Sequence, residues 1–213
     1  MHQVIKVLSK ISDRYAPSRM LSFNMAHIYK TMQLIRVQTR VSRETLITEL
    51  GLGEGSIKTL IKHLKMNGLV NTSKGGTRLT EKGRTLLSKI DTIIPHESLI
   101  PKCSVGFGKF NYAILLKGIS TGIGSGIEQR DFAKMMGGAG ATTLLYENER
   151  FLMPGRTQDS LKNERKIREL IMESLFPQND DVIIMSSAND RRTAELAAKY
   201  AALMTVADHH KHF

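Results

Sequence analysis

The sequence predicts an α+β chain in two parts, mainly helical up to about residue 95 and of mixed strand and helix from about residue 101. Three observations predict it. Apolar residues recur at helical spacing through the first part, as in Ile57, Leu60, Ile61 and Leu64. The period then shortens to compact apolar runs of strand length at Tyr112–Leu116, Ala141–Tyr146 and Val182–Met185. Charge divides at the same place. Residues 1–95 hold sixteen Lys and Arg against six Asp and Glu, and residues 96–213 hold fifteen against fourteen, so nearly all of the net charge of +11 lies in the first part.

The elements follow in order. Val4, Ile5, Leu8, Ile11 and Tyr15 place one apolar face on a helix that Pro17 ends. Met25, Ile28, Met32 and Ile35 mark a second helix from about Phe23 to Val37. Ser42 is a good N-cap for a third, with Leu46, Ile47 and Leu50 inward. Gly51-Leu52-Gly53 breaks the chain, and a fourth helix runs from about Glu54 to Met66, closed by Asn67-Gly68. Leu69–Ser73 and Thr77–Thr80 flank Lys74-Gly75-Gly76 as a hairpin, followed by a helix over 81–90. Pro95 to Pro101 reads as a linker. The strand Tyr112–Leu116, a helix over 127–136, a hairpin around Asn148, a helix over 161–175, the strand Val182–Met185 and an alanine-rich helix over 191–206 complete the chain. The order β-α-β-β-α-β matches a ferredoxin-like sandwich with an extra C-terminal helix.

Composition bounds the function. At 41% hydrophobic and 24% charged residues the chain is of globular type, and pI ≈ 9.8 asks for an anionic partner. Cys103 stands alone, so neither an internal disulfide nor a cysteine metal site is available. No apolar run reaches the length of a membrane span, and the N-terminus lacks the apolar core of an export signal. A cytoplasmic protein is expected. Nothing in the residues calls for a cofactor.

The basic part carries the strongest motif. Two short helices that cross steeply need a tight turn tolerant of positive φ, which Gly51-Leu52-Gly53 provides. The second helix buries Ile57, Leu60, Ile61 and Leu64 and leaves Ser56, Lys58, Thr59, Lys62, His63 and Lys65 for the major groove. Ser42 and Arg43 at the start of the third helix are further DNA-binding candidates, and Lys74 and Arg78 on the hairpin suit phosphate or the minor groove. Residues 44–84, which include Leu79-Thr80-Glu81-Lys82-Gly83 after the hairpin, resemble winged helix-turn-helix regulators of bacteria and archaea. With Gly126–Asp131 and Gly138–Leu144, the whole chain resembles an uncharacterised archaeal family that joins such a domain to a small C-terminal domain. The resemblance implies a regulator that binds double-stranded DNA, and no reaction.

The second part offers a weaker site. Gly122-Ile123-Gly124-Ser125-Gly126 precedes a helix, where main-chain amides suit an anion, but neither dinucleotide nor P-loop spacing is met. Gln129, Arg130, Asp131 and Thr142 are the candidate contacts of a small-molecule effector. His209, His210 and His212 read as a polar tail. The expectation is a homodimeric DNA-binding regulator, residues 1–95 reading DNA and 101–213 sensing a small molecule or dimerising, with the apolar face of 4–15 and the helix 191–206 as dimer contacts. The alternatives are an enzyme centred near Arg130 and Asp131, and an interaction module that docks protein or RNA.

Overall fold

The computed structural model describes residues 2–12 and 21–208. Arg14, Tyr15 and Pro17, and the histidines 209, 210 and 212, lie outside them. The chain divides into two compact units, Met1–Ile90 and Asp91–Phe213.

The first unit runs α1 (His2–Ser12), α2 (Met25–Gln38), α3 (Arg43–Leu50), α4 (Glu54–Met66), β1 (Val70–Ser73), β2 (Gly76–Leu79) and α5 (Glu81–Asp91). Each boundary has a local cause. Asn24 caps α2, its side chain accepting from Ala26 N while its own N–H donates to His27 Nδ1. Ser42 caps α3, accepting from Thr45 N at 3.0 Å. Gly51 ends α3 in the left-handed region, φ 67°. Thr80 starts α5: its hydroxyl accepts from Gly83 N and donates to Gly68 O. Ile5, Leu8 and Ile11 of α1 are buried against α2 and α4, so this apolar face belongs to the core of the unit and is not free for a dimer contact.

The second unit runs β3 (Glu97–Ile100), β4 (Phe110–Leu116), one 3₁₀ turn (Ser120–Gly122), α6 (Ile127–Met135), β5 (Gly140–Glu147), β6 (Arg150–Leu152), α7 (Arg165–Leu175), β7 (Asp181–Ala188) and α8 (Arg191–Asp208). The expected linker contains β3, which pairs antiparallel with β4 and extends the sheet by an edge strand. The strand order is β3-β4-β7-β5-β6, antiparallel throughout. A split β-α-β is present, β4-α6-β5, and the strand that fills its gap is β7 rather than the hairpin partner β6 that fills it in a ferredoxin-like sheet.

Helices cover both faces of this sheet. Ala113, Leu115, Leu144, Ile183 and Met185 point to α7 and share a core cluster with Ile167, Ile171 and Leu175. The alternate residues of β4 and β7 face α8, which also packs on α6. The unit therefore has three layers, where a ferredoxin-like sandwich has two. All eight residues of β7 are buried for this reason. The alanines of α8 (Ala194, Ala197, Ala198, Ala201 and Ala202) are buried within the unit, which removes this helix face too as a dimer contact. Lys199 is fully buried beside Glu97, Glu195 and the Tyr112 ring, tying α8 to the edge strand.

Candidate nucleic-acid interface

The first unit assembles its cationic surface from three segments. The first is the turn between α3 and α4. Gly51 N donates to Ile47 O at 2.9 Å, and Gly53 then enters α4 with no side-chain cap. The second segment is α4 itself. Ile57, Leu60, Ile61 and Leu64 are buried as the spacing requires, while Lys58, Lys62 and Lys65 are exposed. Lys58 is held by Glu54 at 2.8 Å, one turn earlier. That pair holds the Glu54 carboxyl below its ordinary range. Ser56 and Thr59 are half-buried, and the Thr59 hydroxyl donates to Gly55 O at 2.9 Å.

The third segment is the hairpin. Val41 and Thr77 exchange two main-chain hydrogen bonds, 3.1 and 2.9 Å, so the residue before the α3 cap is stitched to the wing. This brings Ser42, Arg43 and Lys74 around one cavity of about 490 Å³. Ser42 and Arg43 lie at the positive end of the α3 dipole, which favours a phosphate there. Gly76 takes φ 112°, and a Cβ on it would stand 2.9 Å from Val41 O, so the stitch requires glycine at this position.

One correction to the sequence reading follows in this unit. His63 is not on the free face of α4. It is 5% exposed, its Nδ1 lies 2.8 Å from Ile11 O, and its ring meets Phe23 edge-on. Helix α1 covers that flank of α4, a contact that spacing within α4 cannot reveal. Arg78, the other hairpin candidate, stays at the surface but faces away from the cavity that Lys74 lines. It lines a second hollow of about 380 Å³ with Arg36 and Arg84. Arg36, Arg84 and Arg40, the last close against Gly75, were missed from the sequence. They lie outside the two-helix motif, and their only early signal was the general excess of charge.

The candidate effector residues do not converge. Gln129 is 3% exposed and donates to Thr205 on α8, with its Oε1 unpartnered among the described residues. Arg130 and Asp131 pair with each other at 3.0 Å on the exposed side of α6. Thr142 is buried and donates to Val105 O, a residue of the α7-side core. Cys103 belongs to the same core, where burial pushes its thiol up. Among the described residues no three His, Cys, Asp or Glu are grouped to hold a metal, and no helix is long and apolar enough to cross a membrane.

Comparison with known proteins bears on both units. Residues 25–94 match the family model described as CggR N-terminal DNA binding domain. Residues 107–206 match a domain of unknown function (DUF4443). A solved structure, a hypothetical protein from Pyrococcus horikoshii OT3, superposes with a TM-score of 0.69 at 21% identity, covering 86% of this chain and 92% of that one. At that identity the likeness speaks for the fold alone. No curated protein matches the sequence. The pairing of a winged-helix DNA-binding domain with a small C-terminal domain, expected from the resemblance, is thereby found.

Proposed function

We propose that this chain is a sequence-specific DNA-binding transcriptional regulator of the cytoplasm, with a second unit that senses a small molecule or dimerises. The observation that carries the reading is the convergence of the wing with the start of α3, Lys74 beside Ser42 and Arg43, next to a helix whose exposed side carries Lys58, Lys62 and Lys65. The match of residues 25–94 to a DNA-binding domain supports it. In this reading α4 enters the major groove with Ser56, Lys58, Thr59 and Lys62 toward base edges. Ser42, Arg43, Lys74 and Arg78 meet the backbone on either side. An effector acts by favouring one arrangement of two recognition helices in a dimer. Regulation rather than catalysis is the role assigned to the second unit.

The test is a titration of the full chain with a duplex of mixed sequence and with an operator obtained by selection, each at several salt concentrations. Log affinity should fall linearly with log salt, by about 0.9 per phosphate neutralised, with a slope of roughly −4 to −6. The selected operator should bind tighter by at least about a hundredfold. Affinity that is flat with salt would remove the DNA reading. A steep slope with no preference for the operator would reduce it to nonspecific binding.

A further inference from the structure

The glycine-rich stretch before α6 is absorbed by nothing in the DNA-binding reading, and it borders a cavity of about 310 Å³ in the second unit. Strand β5 pairs with β7 over 140–146, but β6 joins it only at 145–147. Beyond Leu152 the chain turns away through Met153 and Pro154, so the edge of β5 at 141–143 has no strand neighbour among the described residues and forms one wall. Gly126 and Ser125, at the start of α6, form a second wall.

Four features of this cavity point the same way. The N-cap of α6 is Gly126 at φ 78°, which has no side chain to satisfy the first-turn amides. Only a long contact, 3.4 Å, joins Ile127 N to Ser125 Oγ. Arg156 also lines it and is exposed, and among the described residues it has no carboxylate partner and no acidic residue lines the cavity. Thr143 lines it too, and is 3% exposed with its hydroxyl unpartnered among the described residues. A Cβ placed on Gly126 would lie 3.4 Å from that hydroxyl, which locates it directly beneath the helix start. A buried hydroxyl without a partner costs free energy that a bound acceptor returns. Finally, Phe107, an aromatic ring 66% exposed, and Pro154 also line the cavity.

We infer that this cavity binds a small organic anion, its carboxylate or phosphate group held by the α6 amides, the Thr143 hydroxyl and Arg156, and its flat apolar body against Phe107 and Pro154. The helix dipole, a cation and a hydroxyl donor supply what an anionic head requires, and the ring and proline supply a surface for the body. The inference rests on the sensing reading of the second unit and gives that reading its site. Of the four effector residues read from the sequence, only Thr142 lines the cavity.

The experiment is an amide NMR titration of the full chain, without DNA, using benzoate and phenyl phosphate as probes and neutral benzamide as control. Saturable shifts at Glu128, Gln129 and Thr143 are expected below about 10 mM for one or both anions and not for benzamide. The anion that shifts them identifies the head group. Arg156→Gln should weaken the response by roughly tenfold. Thr143→Val, which keeps the shape and removes the unpartnered hydroxyl, should weaken it severalfold without lowering the melting temperature. The inference is overturned if neither anion shifts these amides, if shifts fall only on the basic surface of α4 and the wing, if benzamide binds as well, or if Arg156→Gln binds unchanged. Because no DNA is present, such a failure removes the anion site and leaves the DNA-binding reading standing. A failed DNA titration leaves the anion site standing.

Discussion

At the scale of single residues, the structure separates side chains free to meet DNA from those engaged elsewhere. The Thr59 hydroxyl bonds back to Gly55 O, whereas Lys62 is exposed, so Lys62 is the cleaner probe of base reading. Lys62→Ala should change sequence preference, at a cost of about 1–3 kcal/mol on the selected operator. Lys74→Ala should weaken all duplexes about equally and shrink the salt slope by roughly 0.9. Competition between operator and scrambled duplex reads the difference, and a uniform loss from Lys62→Ala would contradict the assignment. His27 makes a second residue-scale prediction. Burial, and then the charge of Lys30, hold its pKa down to about 4 against the ordinary 6.5, and its Nδ1 accepts from the Asn24 N–H. The folded state therefore stays neutral where the unfolded chain takes up a proton. The stabilisation is complete above pH 6.5 and is lost as pH falls toward 4, up to about 3 kcal/mol. Urea melts across that window should lose this slope in His27→Gln; an identical slope in the variant would assign the acid sensitivity to other groups.

At the scale of elements, the wing and the helix after it depend on close main-chain approaches. The threonine and glycine that follow Leu79 have separate tasks. Thr80 caps α5 and anchors to Gly68 O, while Gly83 packs so near the strand that a Cβ on it would come 2.2 Å from Leu69 O. Neither backbone can yield without moving the helix or the hairpin. Gly83→Ala should destabilise the unit by about 2–4 kcal/mol through this overlap, despite the better helix propensity of alanine. Thr80→Ala should cost about 1 kcal/mol for the lost cap. Thermal melts rank the two, and a neutral Gly83→Ala would show that the contact relaxes freely. The motif was legible in the sequence as a signature, but the reason for its glycine lies at Leu69, fourteen residues earlier and just before β1.

At the scale of the whole molecule, the charge division proposes a division of labour. A fragment of residues 1–95 should keep most of the DNA affinity and salt slope of the full chain, while 96–213, with balanced charge, should show neither. Circular dichroism of each fragment confirms that it is folded before anisotropy compares them, and equal binding by the two would end the proposal. The dimer expectation changes in substance. Both faces first assigned to it, on α1 and α8, are buried inside their own units. If light scattering gives a dimer at tens of micromolar, as paired half-sites require, substitutions on those faces should unfold the chain rather than dissociate it.

The sequence by itself determined what is local. Helical and strand periods, the Ser42 cap, the Gly51-Leu52-Gly53 turn, the wing and the charge division all depend on residues within a turn or two of one another, or on composition alone. They set the α+β class and the cationic surface proposed to meet DNA. The tertiary structure decided what depends on segments that meet from afar. It turned His63 inward beneath α1, gathered Arg36, Arg40 and Arg84 around the wing, and drew residues 97–100 out of an apparent linker into the sheet. It also placed β7 in the gap of the split β-α-β and opened the edge of β5 beside Gly126. Strand order and burial on a helix flank follow from which distant apolar surfaces fit together, and a periodicity carries no record of its partner.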